Sequence, residues 1–120
     1  MANPNIATLT DIRGRTAGLA VTTSAQAIVT NSSGSNKIFK INSLIIANVN
    51  GSTAADVTVD FFDNQSTAFD LAFTVTVPAD STLVVISRDN QIYLEENDSL
   101  RITASANSIL EAVCSWEEIA

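Results

Sequence analysis

Residues 71–119 read as four successive strand segments, 71–77, 82–87, 99–105 and 109–117, with a short extended piece at 91–95, and apolar and polar side chains alternate through most of the stretch. A period of two is the period of a β-strand with one buried face. The connections read as turns: Pro78-Ala79-Asp80-Ser81, Glu96-Asn97-Asp98 and Ala106-Asn107-Ser108. Pro78 ends its strand by removing a ladder donor and presets φ for the turn. In this half Leu71, Phe73, Val75 and Val77 are expected to share a core face. Leu83, Val84, Val85 and Ile86 are apolar on both faces, and Ile92 and Leu94 bracket Tyr93. Leu100, Ile102 and Ala104 are expected to point inward, as are Leu110, Ala112, Cys114 and Trp116.

The first half continues the pattern. Residues 26–30 and 37–41 flank the polar tract Asn31-Ser32-Ser33-Gly34-Ser35-Asn36, which reads as a loop between neighbouring strands. Residues 43–49 are apolar on both faces, as a central strand would be. Asn50-Gly51-Ser52-Thr53 carries the Asn-Gly hairpin signal. In 55–62, Val57, Val59 and Phe61 face one way and Asp56, Thr58 and Asp60 the other. Asp63-Asn64-Gln65-Ser66-Thr67 is the next loop. Residues 1–20 are ambiguous: Ile6, Leu9 and Ile12 are apolar, but Arg13-Gly14-Arg15 and Ala17-Gly18 interrupt any regular element. They read as an N-terminal arm or edge segment, with the sandwich domain spanning 21–120.

No window carries the helical i, i+3, i+4, i+7 pattern between caps. Eight to nine short strands at about ten-residue spacing indicate an all-β fold, an antiparallel β-sandwich or jelly roll. At 120 residues the chain fits one domain and buries enough surface to need no disulfide. Its single cysteine, Cys114, forbids an internal one, which fits folding in a reducing cytoplasm. Cys114 falls on an apolar face and reads as a buried, inert thiol. No signal peptide and no membrane-spanning run are visible.

The net charge is −7, and the six basic residues, Arg13, Arg15, Lys37, Lys40, Arg88 and Arg101, are scattered. That balance argues against direct contact with nucleic acid, which needs clustered Lys and Arg. Histidine is absent, so histidine-based triads and metal sites are excluded. The four glycines are isolated and form no phosphate loop. Carboxylate pairs such as Asp60/Asp63 and Glu95/Asp98 read as solvated turn and strand charges. Neither Glu95-Glu96-Asn97-Asp98 nor Asp56/Asp60/Asp63 has the ligand spacing of a calcium loop. The expectation is no enzyme, no cofactor and no metal. Trp116 is expected to plug the core, the competing role being an inter-subunit anchor.

Segment order then supplies a resemblance. Residues 41–48 (Ile-Asn-Ser-Leu-Ile-Ile-Ala-Asn), the Gly-Ser-Thr turn before Ala55-Asp56-Val57, residues 77–85, the run 92–105 around Glu95-Glu96-Asn97-Asp98-Ser99-Leu100, and a last strand ending Glu118-Ile119 carry it. Over residues 20–119 the chain resembles small β-sandwich virion proteins of tailed bacteriophages, particularly cyanophages. The resemblance implies a virion structural protein: first a capsid decoration (cement) protein on the coat-protein shell, next a neck, collar or tail component. It implies virion partners, homo-oligomerisation, and no catalytic residues. A glycan-binding module of a host-attachment fibre is the rival class. Candidate interface residues are Ile6, Leu9, Ile12, Arg13 and Arg15, in the segment outside the resemblance.

Overall fold

The computed structural model describes residues 5–8 and 10–120. Among the described residues, nine strands follow a single 3₁₀ turn at Ile6–Thr8. They are β1 (Ile12–Ala20), β2 (Gln26–Thr30), β3 (Ile38–Asn48), β4 (Ala55–Asp63), β5 (Thr67–Val77), β6 (Thr82–Ile86), β7 (Ile92–Leu94), β8 (Ser99–Ala104) and β9 (Leu110–Ile119). One sheet has the order β1-β9-β3-β6, with β7 also pairing β3; the other is β2-β8-β4-β5. Every pairing is antiparallel. Since β6 and β7 take successive stretches of one side of β3, the order is that of an eight-stranded jelly roll.

Only β4–β5 and β6–β7 stay within one sheet; the other connections cross between sheets. This corrects the hairpin expected at Asn50-Gly51, because β3 and β4 lie in opposite layers. The asparagine there serves the crossing instead. Asn50 Oδ1 accepts the Ser52 and Thr53 N–H groups at 2.8 and 2.9 Å. Buried Asn48 donates to the Thr53 and Val77 carbonyls at 3.0 and 2.9 Å, pinning both ends of the loop. The turn with both central residues at positive φ, the type I′ requirement, lies elsewhere: Asn64 and Gln65, at 53° and 54°, close β4–β5.

Two further segments differ from expectation. The two strands expected at 37–41 and 43–49 are one, β3, with a register shift between Ile41 and Ser43. The intervening Asn42 turns its amide to Glu117 and accepts from Gln91, so the irregularity is hydrogen-bonded. Arg13-Gly14-Arg15 and Ala17-Gly18 interrupt nothing: β1 pairs with β9 without a break from Ile12↔Ile119 to Ala20↔Glu111. An extended backbone is open to glycine, and pairing with a long neighbour outweighs its low strand preference.

The inner faces line one core. Val57, Val59, Leu100 and Ile102 come from one sheet; Ile41, Leu44, Ile46, Leu110, Ala112 and Cys114 from the other. Each large aliphatic side chain so buried contributes roughly 1.5–3 kcal/mol. Trp116 is buried and stacks on Phe39, ring centroids 6.3 Å apart. Its Nε1–H donates to Glu118 at 3.3 Å.

Candidate functional site

β5 is an edge strand whose side chains escape the core. Phe69 is 55% exposed, Leu71 41%, Phe73 68% and Val75 36%. Of the face expected to be buried, only Val77 is. The cause lies in the pairing with β4. Val57 opposes Val75 but Val59 opposes Ala72, and Asp60 opposes Asp70, so β5 carries two extra residues. Such bulges bend and twist a strand. Thr74 takes φ 47°, and its N–H turns onto Thr58 Oγ1 at 3.1 Å. The neighbouring Phe73 stands out into solvent.

Beside this edge the sandwich is open. Phe61, Phe69 and Leu71 of the β4–β5 hairpin and Ile92 and Tyr93 of β7 line an apolar groove of about 180 Å³. The Phe61 and Phe69 rings stack at 6.4 Å. Tyr93 is 47% exposed at the groove's rim. A second apolar row crosses the outer face of the β1-β9-β3-β6 sheet, where Ile45 lies between Val113 and exposed Val84.

The hairpin carrying this edge is anchored by buried polar groups. Asp98 is almost fully buried, and its carboxylate accepts the Asn64 N–H at 2.9 Å and the Glu95 N–H at 3.0 Å. Asn97 Nδ2 donates to Asn64 Oδ1 at 3.0 Å, and Gln65 reaches the Asn97 carbonyl at 3.1 Å. Buried Glu96 accepts the Gly34 and Asn36 N–H groups at 3.0 and 2.8 Å. Asn31, fully buried, donates to the Lys37 and Leu94 carbonyls. Glu96, Asp98 and Asn31 are therefore not solvated loop residues; unpaired backbone at loop ends recruits polar side chains inward. Desolvation, first, and the nearby carboxylates Asp63 and Glu95 push the Asp98 carboxyl above its ordinary value, against the two backbone N–H groups. Asp60 is buried too, held by Arg101 in a two-point contact at 3.0 and 3.2 Å, with the guanidinium 3.7 Å above the Phe62 ring.

The sequence-derived interface residues fall elsewhere. Leu9 and the Ile6 side chain lie outside the described residues. Ile12, Arg13 and Arg15 sit on β1, at the far edge of the other sheet. Ile12 is exposed, Arg13 pairs with Asp11 at 3.0 Å, and Arg15 lies 3.5 Å from Glu118, which Lys37 also meets at 3.3 Å. Cys114 is fully buried and burial pushes its thiol up to about 12, so it is no nucleophile. Among the described residues, no group of three His, Cys, Asp or Glu side chains is arranged to hold a metal ion. No helix among them is long and apolar enough to cross a membrane.

No protein family pattern and no curated protein matches the sequence. Two solved structures are similar to this chain, and the first shares the fold. One comes from Bacillus endospore appendages, described as a novel family of disulfide-linked pili: 15% identity over 98% of this chain and 95% of that chain, TM-score 0.56. Another is a pentameric capsid protein from metagenomic phage sequences: 14% identity over 83% of this chain and 63% of that one, TM-score 0.44.

Proposed function

We propose that this chain is a non-catalytic structural component of a phage virion, first a capsid decoration protein seated on the coat-protein shell. The observation that carries the structural reading is the contrast between its two kinds of side chain. Its buried carboxylates are occupied by backbone N–H groups or by Arg101, and its thiol is sealed in the core. Exposed apolar side chains are displayed along the β5 edge and across the outer face of the other sheet, surfaces suited to protein contact. The pilus likeness supports assembly as a use for this fold, and jelly rolls recur in viral shells. Disulfide linkage does not carry over, since Cys114 is the sole cysteine and is buried. The virion placement rests on the sequence resemblance. In it, β1 with Ile12, Arg13 and Arg15, and the preceding segment with Ile6 and Leu9, form a second contact to the particle.

Quantitative proteomics of purified virions tests the placement. A decoration protein is expected at a copy number near that of the coat protein. A few copies per particle would move the chain to the neck, collar or tail, and its absence from virions would end the virion reading.

One observation favours a second reading. Exposed Tyr93 beside Phe69 is an aromatic surface of the kind that stacks on sugar rings, and jelly rolls also serve as lectins. Glycan-array binding that disappears in Tyr93→Ala would establish it; an array with no signal for the wild-type chain would remove it.

A further inference from the structure

The outer face of the β2-β8-β4-β5 sheet carries a pocket of opposite character to the apolar groove. Asp56 and Thr58 of β4, Thr74 of β5, Thr103 and Ala104 of β8, and Ser105 line a polar hollow of about 200 Å³. Thr58 and Thr103 are direct partners in the β4–β8 register, and Asp56 opposes Thr76 of β5. The second bulge of β5 shapes one side: Phe73 and Thr74 together stand against Thr58 alone. Phe73 therefore lies on this outer face, whereas Phe69 points the other way and stacks on Phe61 in the groove. Thr74 is held at φ 47°, an outlier for a β-branched residue. Strain of this kind persists only where the surroundings fix it, and it concentrates at ligand sites.

The hydrogen bonds that build the pocket leave capacity facing into it. Thr58 Oγ1 accepts the Thr74 N–H at 3.1 Å, and Ser105 Oγ accepts the Asp56 N–H at 2.9 Å, so the backbone fixes both hydroxyl oxygens. Among the described residues neither hydroxyl proton meets an acceptor, and the Thr74 and Thr103 hydroxyls have no partner. The Thr76 hydroxyl donates to Asp56 Oδ1 at 2.7 Å and leaves Oδ2 open. The site thus presents a carboxylate oxygen to ligand donors and hydroxyls to ligand donors or acceptors. Beside Thr74, the exposed Phe73 ring adds an apolar face.

A pyranose ring meets all of these at once, with hydroxyls that donate and accept and a C–H face for the phenyl ring. The volume is below the ~300–1,000 Å³ of drug-sized pockets and suits a single ring. One carboxylate is too few for a hard divalent cation, which takes about six to eight oxygens. Unlike Asp60, which Arg101 neutralises, Asp56 has no Lys or Arg beside it among the described residues and repels an acidic sugar. We infer that this pocket binds one neutral hexopyranose unit, with Phe73 against the ring, Asp56 accepting from its hydroxyls and Thr103 bonding a further one. The inference is independent of the virion placement and of the Tyr93 reading, which uses the opposite face of β5.

Amide NMR titration of the full-length protein with the methyl glycosides of glucose, galactose and mannose tests it. At least one is expected to shift the Asp56, Thr74 and Thr103 amides saturably, with the millimolar affinity of a shallow site facing water. Thr103→Val keeps a β-branched side chain in its strand and removes a hydroxyl that bonds nothing in the protein. Phe73→Ala removes an exposed ring. Each is expected to weaken binding about tenfold, the size of one lost polar or aromatic contact. Tyr93→Ala is expected to bind as the wild type does. Circular dichroism melting confirms that each variant is folded before affinities are compared. No saturable shift with any of these glycosides, wild-type affinity in either Thr103→Val or Phe73→Ala, or loss of binding in Tyr93→Ala would each overturn the assignment. None of these results touches the virion reading, which the proteomic copy number decides.

Discussion

Asp98→Ala is expected to lower the free energy of unfolding by about 3 kcal/mol. The substitution deletes the acceptor of two backbone N–H groups, those of Asn64 and Glu95. A donor left without a partner away from water costs about 1–3 kcal/mol, more when the lost acceptor was charged. The loss is also local. Asn64 sits at φ 53° at the tip of the β4–β5 hairpin, and Asn97, beside Asp98, at φ 73°. Both conformations are sparsely populated for non-glycine residues and persist because neighbours hold them. Releasing the tip therefore loosens the strand that bears Phe69, Leu71 and Phe73. A lowered urea midpoint with an unchanged m-value, together with faster amide exchange at Asn64, Gln65 and Ser66, is the expected result. An unchanged midpoint would mean that water satisfies both donors.

The pH dependence of the same residue has a defined sign. The folded-state carboxyl titrates above its unfolded value, chiefly through desolvation. The folded chain thus binds this proton more tightly than the unfolded one. Stability from this group is fully present below the unfolded value, about 3.9, and is lost as pH rises through the folded one. Its contribution is smallest at neutral pH. Asp98→Asn, which does not titrate, is expected to lack this increment. Wild type should therefore gain stability relative to Asp98→Asn as the pH is lowered from 7 towards 4.

Much of the architecture was legible from alternation alone. β8 and β9 read directly off Leu100-Ile102-Ala104 and Leu110-Ala112-Cys114-Trp116 because each has one face in the core. Sheet membership was not legible, since a strand's period is the same in either layer. Asn50-Gly51 has hairpin chemistry, yet the chain crosses there, because β3 is flanked by β9 and by β6 and β7, and β4 by β8 and β5. β5 shows the same limit more sharply. Phe69, Leu71, Phe73 and Val75 have the spacing of a core face; two bulges and an edge position leave them exposed. The polar anchors were hidden for a related reason. Asn31, Glu96 and Asp98 occur in tracts with loop composition, and only the meeting of three loops buries them. The one signal of them in the sequence is the repeated Asn and Asp at strand ends, side chains that bond well to nearby backbone.

Trp116→Ala is expected to cost about 4 kcal/mol, in the range for removing a large aromatic side chain from a core. The stack on Phe39 is lost, and the vacated volume lies between sheets whose backbones are fixed by pairing on both sides of β9. Partial collapse is all that such a site allows. A second loss follows: Trp116 Nε1–H is one of the groups facing Glu118, which also meets Arg15 and Lys37. Trp116 opposes Arg15 in the β1–β9 register, so the substitution also frees the strand that carries Ile12, Arg13 and Arg15. Small domains have only about 5–15 kcal/mol in total, so a loss of this size lowers the melting temperature by tens of degrees or prevents folding at 37 °C. Trp116→Phe keeps a ring against Phe39 and is expected to recover most of the stability while losing the contact to Glu118. The pair of variants separates the two roles weighed for this tryptophan. A core role predicts a large fall in the urea midpoint at unchanged assembly mass, partly restored by phenylalanine. An interface role predicts a smaller assembly mass with the midpoint of the monomer preserved, and its 8% exposure selects the first.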